Sequence, residues 1–279
     1  MLKRILTSVV AVLILVPVLF LSDTVVFPIA LAVVSLIALY ELFKCTGTEK
    51  KWAVTVPLYL FSLIFPFVIR YTDDIADVAL AVGIAAVAYV IYLFTLIVWS
   101  GGKLPLGETA ATVFMAMYVL AALSSILYVR DFEPYGVYIY LLIFIGAWIT
   151  DIFAYFTGYF IGKHKLIESV SPKKTVEGSI GGVVFCAASF AVFGLVVDTW
   201  FGQDANLLFL IISGVILSLI AQIGDLIMSV VKRHYQIKDF GKLFPGHGGM
   251  LDRFDSILAV SLGLGAICMF VSLTGIQLM

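Results

Sequence analysis

Nine apolar stretches recur along the 279 residues, each near the roughly 20 residues that a helix needs to cross a hydrocarbon core about 30 Å thick. They span about 4–21, 24–43, 53–70, 76–99, 109–128, 136–161, 180–199, 206–231 and 256–275. A segment surrounded by lipid must satisfy its own backbone N–H and C=O groups, which selects helix here. The expected fold class is therefore an all-α integral membrane protein of nine transmembrane helices. The chain is 62% hydrophobic and 13% charged, against about half and a quarter in soluble proteins, and a water-soluble domain is excluded. The first stretch has a basic start like a signal peptide but is too long and lacks a small-x-small cleavage site, so it counts as a span.

The basic residues sort by side. With the N-terminus in the cytoplasm, only Arg70 and Arg130 of the 17 Lys and Arg residues fall outside, as the positive-inside rule requires. The C-terminus then lies outside. The outer turns carry Asp23, Asp73, Asp74, Asp77, Asp131, Glu133, Asp198 and Asp204, an acidic set unsuited to phosphate. The two longest inner loops, about 162–179 and 232–255, hold most of the polar chemistry, so a cytoplasm-facing active site is expected. No repeat or separate soluble domain interrupts the chain. Residues 1–279 read as a single polytopic domain, with N-terminal and middle spans in 1–130 and the chemical motifs in 136–279. A net charge of -1 gives no support for nucleic-acid binding. Cys45, Cys186 and Cys268 lie far apart in apolar surroundings and suggest neither disulfides nor a zinc site.

The most informative segment is 229–255, SVVKRHYQIKDFGKLFPGHGGMLDRFD. It starts at the end of the eighth span, where Gln222, Asp225, Ser229 and Lys232 share one helix face and stack an acid, a hydroxyl and a cation. Ionisable residues in a span are costly unless they meet a partner or a polar cavity. Asp225 is thus either a functional group or a buried acid satisfied by a neighbouring helix. Further on, Pro245, Gly246, Gly248 and Gly249 surround His247 in a segment that cannot be regular helix. Such a loop is either a plain turn or a cradle of backbone N–H groups for phosphate. Asp252 and Asp255 follow at i and i+3, with Arg253 between them. Capping explains one carboxylate there; two on one face suit a hard cation such as Mg²⁺, which prefers oxygen ligands and keeps phosphates in its shell.

The other inner loop contains Ser171-Pro-Lys173-Lys174-Thr175, whose ammonium and hydroxyl groups suit a triphosphate or a phosphomonoester head group. Juxtamembrane lysines also commonly set topology or attract anionic lipid. Asp151, well inside the sixth span, needs a cavity or a partner, for which a lysine is one candidate. No Walker A loop, nucleophile elbow or His-Glu-x-x-His helix occurs. His164, His234 and His247 are too dispersed for a metal site.

These residues resemble a known pattern. Ser229, Lys232-Arg233, Lys238-Asp239, Gly241, Phe244-Pro245, His247-Gly248-Gly249, Asp252-Arg253 and Asp255 fall at the spacing of the phosphatidate cytidylyltransferases, the CDP-diacylglycerol synthases. Gln222-x-Gly224-Asp225, Asp151 to Tyr155 and Ser171 to Gly178 are similar to that family as well, with Ile152 a departure from it. The resemblance covers about 147–256; the first five spans share only hydropathy.

The resemblance implies transfer of a cytidylyl group from CTP to phosphatidate, giving CDP-diacylglycerol and pyrophosphate; the compact chain without long soluble tails is expected in a cell (inner) membrane. The resemblance also implies Mg²⁺ dependence and a homodimer; whether a second, monovalent cation takes part is left open by the sequence. On this reading Asp225, Asp252 and Asp255 hold the metal. Lys232, Arg233, Lys238 and Arg253 neutralise phosphate, beside Asp239. Ser171, Lys173, Lys174, Thr175, Ser229, His247, Gly248 and Gly249 shape the substrate pocket. An apolar groove for the lipid is expected beside it. Two alternatives are a CTP-dependent polyprenol kinase and an ion-coupled transporter. The transporter is disfavoured because the first five spans are nearly devoid of buried charge.

Overall fold

The computed structural model describes residues 2–72 and 74–275, without the side chains of residues 2–6, 8 and 75. Asp73 and the side chains of Lys3 and Arg4, which entered the charge pattern above, lie outside the described residues. The elements in order are α1 (Leu2–Phe20), α2 (Val26–Cys45), α3 (Trp52–Tyr71), α4 (Ile75–Trp99), α5 (Leu106–Arg130), α6 (Gly136–Ile139), α7 (Leu141–Ile161), β1 (Lys165–Ile167), β2 (Ser171–Thr175), α8 (Val176–Phe201), α9 (Leu207–His234) and α10 (Leu251–Thr274).

Among the described residues eight helices are long and apolar enough to cross a membrane, with α6 and α7 sharing one span, Gly136–Ile161. The described apolar part of α1, Val9–Phe20, is shorter. Large apolar side chains face outward along these helices: on α4, Leu80, Ile84, Val87, Ile91, Phe94 and Val98 are all exposed. That inversion of the usual pattern is stable where lipid, not water, is the solvent.

Two expectations are revised. The fold is not wholly α, because β1 and β2 form an antiparallel hairpin with Lys165 opposite Thr175 and Ile167 opposite Ser171. Gly162 ends α7 in extended backbone and Pro172 disfavours helix around it, so the backbone groups of this segment pair across the turn instead. The helices also extend further into the inner loops than hydropathy suggested. α8 starts at Val176, α9 reaches His234 and α10 starts at Leu251, so Asp252, Arg253 and Asp255 all ride on helix. Polar residues continue a helix as readily as apolar ones once caps are in place. Thr175 supplies such a cap, its hydroxyl accepting from the Gly178 N–H at 3.2 Å.

The chain divides into two compact units. The first comprises Met1–Leu127 and Asp239–Leu251, the second Tyr128–Lys238 and Asp252–Met279. Within the first, Val54, Leu93 and Val113 form an apolar cluster with Tyr89, Leu104 and Met117. Two of this unit's polar side chains reach backbone carbonyls: Tyr89 Oη donates to that of Val54 at 2.7 Å and Arg70 Nη2 to that of Ser22 at 2.5 Å. Within the second, α7 and α8 approach so closely that a Cβ on Gly178 would stand 2.6 Å from the Ala154 carbonyl oxygen, and only glycine fits there. Thr150 Oγ1 donates to Ser218 Oγ at 2.9 Å, which fastens α7 to α9.

Candidate active site

The second unit gathers carboxylates and cations from four elements. Lys174, on β2, forms an ion pair with Asp225 on α9. Lys232, two turns further along α9, forms another with Asp252 in the first turn of α10, at 3.0 Å. Asp252 is almost wholly buried and Lys232 nearly so. The carboxylate of Asp151 on α7 accepts from Ser256 Oγ at 3.0 and 3.3 Å. Asp255 accepts from the Ser256 backbone N–H at 2.9 Å. Asp151, Asp225 and Asp255 lie close enough to repel one another, and Lys174, Arg253 and Lys232 lie close enough to offset part of that repulsion. A field of this kind accumulates where a site must hold a polyvalent cation or anion, because like charges are not otherwise brought together.

The column Asp225, Ser229, Lys232 stands on α9 as its spacing required, but the ion pairs run between elements instead of along the helix. Asp151 is hydrogen-bonded to Ser256, with Lys174 near enough to attract it. Arg233, Lys238, Arg253 and Lys173 are exposed, as groups must be to meet a soluble anion. The hairpin is held in place from α8: Glu177 accepts from the N–H groups of Lys163 at 3.0 Å and His164 at 3.2 Å and pairs with His164 Nδ1 at 2.6 Å. Thr175 is committed to capping α8 through its oxygen, leaving its hydroxyl proton to donate.

The His247-Gly248-Gly249 turn belongs to the first unit, together with Asp239. There the Phe244 N–H donates to the Gly248 carbonyl at 2.9 Å and the His247 N–H to that of Phe244 at 2.8 Å. Gly246 and Gly248 have φ of 82° and 87°, the left-handed region in which glycine is at no disadvantage. His247 Nδ1 is hydrogen-bonded to Thr7 Oγ1 on α1 at 2.9 Å. A groove of about 400 Å³ with mostly apolar walls runs between α2 and residues 240–243, lined by Leu36, Ile37, Tyr40, Lys44 and Leu243 among others.

Residues 2–271 match the family model described as the cytidylyltransferase family. The chain belongs to that family. It is 34% identical over 263 residues to the phosphatidate cytidylyltransferase of Bacillus subtilis (strain 168), covering 92% of this chain and 94% of the relative. The proteins of the same name from Staphylococcus haemolyticus (strain JCSC1435) and Staphylococcus aureus (strain COL) are 32% and 33% identical, each alignment covering 92% of this chain and 95% of the relative. The similarity thus runs well beyond the C-terminal motifs and takes in the first five spans, where hydropathy alone had been legible.

Family membership makes the chain a membrane nucleotidyltransferase, and the site chemistry agrees with a divalent metal of the hard, oxygen-loving kind. Among the described residues no three His, Cys, Asp or Glu side chains form a closed metal cage. Mg²⁺ does not demand one, since it is commonly held by one or two carboxylates and completes its shell with water and substrate phosphate. The donors on offer are carboxylate oxygens, two of them already carrying an ammonium cation, and they fit that requirement. Sequence reasoning missed Glu41, which is buried in α2 and is an exception to the near absence of buried charge in the early spans. It also missed Ser256.

Proposed function

We propose that the chain is a CTP:phosphatidate cytidylyltransferase: it joins the cytidylyl group of CTP to phosphatidate and releases pyrophosphate. The observation that carries this reading is the pair of lysine–aspartate bridges, Lys174–Asp225 and Lys232–Asp252, which set alternating charge on β2, α9 and α10. Both substrates are strongly anionic, so uniting them requires cations at the point of contact. A phosphate oxygen of phosphatidate, already deprotonated near neutral pH, attacks the α-phosphorus of CTP. The bond from the α-phosphorus to the bridging oxygen breaks, and pyrophosphate leaves with the electron pair. No strong general base is needed, and the work of the site is alignment and charge stabilisation.

Asp225, Asp252 and Asp255 are the carboxylates from which one or two would hold Mg²⁺, with water and substrate phosphate completing its shell, and the ion would supply charge neutralisation for the triphosphate. Lys232, Arg233, Lys238 and Arg253 draw in and orient the phosphates, and Lys173, Lys174, Ser171 and Ser229 line their path. The His247-Gly248-Gly249 turn, with backbone N–H groups in a tight glycine-rich bend, serves nucleotide or head-group phosphate. The apolar groove beside residues 240–243 has the character needed to shelter an acyl chain. Placing these basic loops in the cytoplasm follows from the charge bias and puts the N-terminus on the cytoplasmic side of a cell membrane that the chain crosses nine times. A homodimer is part of the same reading.

The family relationship favours cytidylyl transfer over terminal phosphate transfer and over transport. The decisive experiment supplies detergent-purified protein with phosphatidate, Mg²⁺ and CTP labelled in the α-phosphate. Label is expected in the lipid product. Recovery of the label in CDP would instead assign a kinase and overturn the proposal.

A further inference from the structure

Glu41 lies within α2, four residues before its end, in a helix otherwise rich in leucine, isoleucine and valine. It is only 4% exposed. A carboxylate cannot be left there without partners, because the loss of hydration is not recovered from apolar neighbours. Its partners include main-chain groups far away in sequence: Oε1 accepts from the Met250 N–H at 2.9 Å and Oε2 from the Leu251 N–H at 3.0 Å. These amides open α10, where the first N–H groups have no acceptor within the helix and the dipole favours negative charge.

The loop is shaped to this carboxylate from two sides. A Cβ added to Gly241 or to Gly249 would collide with the Glu41 carboxylate oxygens. Neither glycine has a positive φ, so the space, and not the backbone conformation, is what demands glycine. The main-chain hydrogen bonds between Phe244 and Gly248 then close the intervening turn.

We propose that Glu41 is a positioning residue: its buried carboxylate clamps residues 241–251 and so holds the His247-Gly248-Gly249 turn in the shape that receives substrate phosphate. The inference rests on the reading of that turn as part of the substrate pocket. The clamp itself is independent of that reading, since both of its bonds and both glycine contacts belong to the same compact unit.

The test combines hydrogen exchange with kinetics on the full-length protein in detergent. In the wild-type protein the Met250 and Leu251 amides should exchange slowly; exchange at the rate of an open loop would overturn the clamp without any variant being made. In Glu41→Gln one acceptor is replaced by an NH₂ that faces a backbone N–H, so these amides should exchange faster. KM for CTP or phosphatidate should rise about tenfold, with kcat falling less, because a loosened loop weakens binding of ground state and transition state together. Unchanged exchange or unchanged kinetics in folded Glu41→Gln would sink the proposal. A His247→Ala variant separates the causes: if it raises KM while Glu41→Gln does not, the fault lies with Glu41. If both leave KM alone, the reading of the turn has failed.

Discussion

Lys232 donates a hydrogen bond of 3.0 Å to Asp252, 20 positions further along the chain, and thereby joins the last turn of α9 to the first turn of α10. Both groups are largely out of solvent, so the pair is an arrangement that fails badly when halved. Lys232→Met leaves a buried carboxylate without this cation and is expected to destabilise the protein by about 3 kcal/mol or more. Adding Asp252→Asn should recover much of that stability while turnover stays lost. Thermal unfolding in detergent and the cytidylyl-transfer assay check the two halves of this expectation separately. Recovery of turnover in the double variant would remove both residues from the chemistry.

Asp225 is held by Lys174 and repelled by Asp151 and Asp255, so its charge is better suited to gathering cations than to maintaining the fold. Asp225→Asn is expected to raise the Mg²⁺ concentration for half-maximal activity by about tenfold or more, the loss of one charged oxygen ligand among few. Mg²⁺ titration of initial rates measures it. An unaltered Mg²⁺ profile with normal stability would take Asp225 out of the metal's shell.

The same glycine substitution should act with opposite sign at two places. A Cβ at Gly181 would run into the Thr157 side chain, whereas Gly83 has open space around it. Gly181→Ala therefore overpacks the contact between α7 and α8 and should cost about 1–3 kcal/mol. Gly83→Ala relieves the backbone of entropy it loses on forming α4 and should be neutral or stabilising by up to about 1 kcal/mol. Comparing melting temperatures of the two single variants tests the close approach directly.

Hydropathy reached the spans because lipid imposes a length and a composition on each helix, and the match between 76–99 and Ile75–Trp99 is typical. It could not reach the true starts of α8 and α10, whose first turns are polar and are stabilised by Thr175 and Glu41 instead of by lipid. The spacing of Asp225 and Lys232 placed them on one face, but which lysine meets which aspartate depends on how β2 and α10 pack, and that is tertiary information. The hairpin was illegible for the same reason. Glu41 was legible in principle: the argument that singled out Asp151 and Asp225, an ionisable group inside an apolar helix, applies to it unchanged. Its partners were not, because backbone amides leave no signature in the residue sequence.

Orientation follows from the placement of basic loops and can be tested with single cysteines. Cys186 and Cys268 are fully buried, so only Cys45 needs removal before reporters are introduced. Glu168 in the hairpin turn and Asp204 between α8 and α9 are both exposed. They bracket α8, whose 26 residues give about 39 Å of helix, enough to separate the two faces of a bilayer. In intact cells a membrane-impermeant maleimide is expected to label Asp204→Cys and to spare Glu168→Cys until the membrane is opened. The reverse pattern would put Lys173, Lys174 and the paired aspartates on the side away from cytoplasmic CTP. The proposed reaction could not then run.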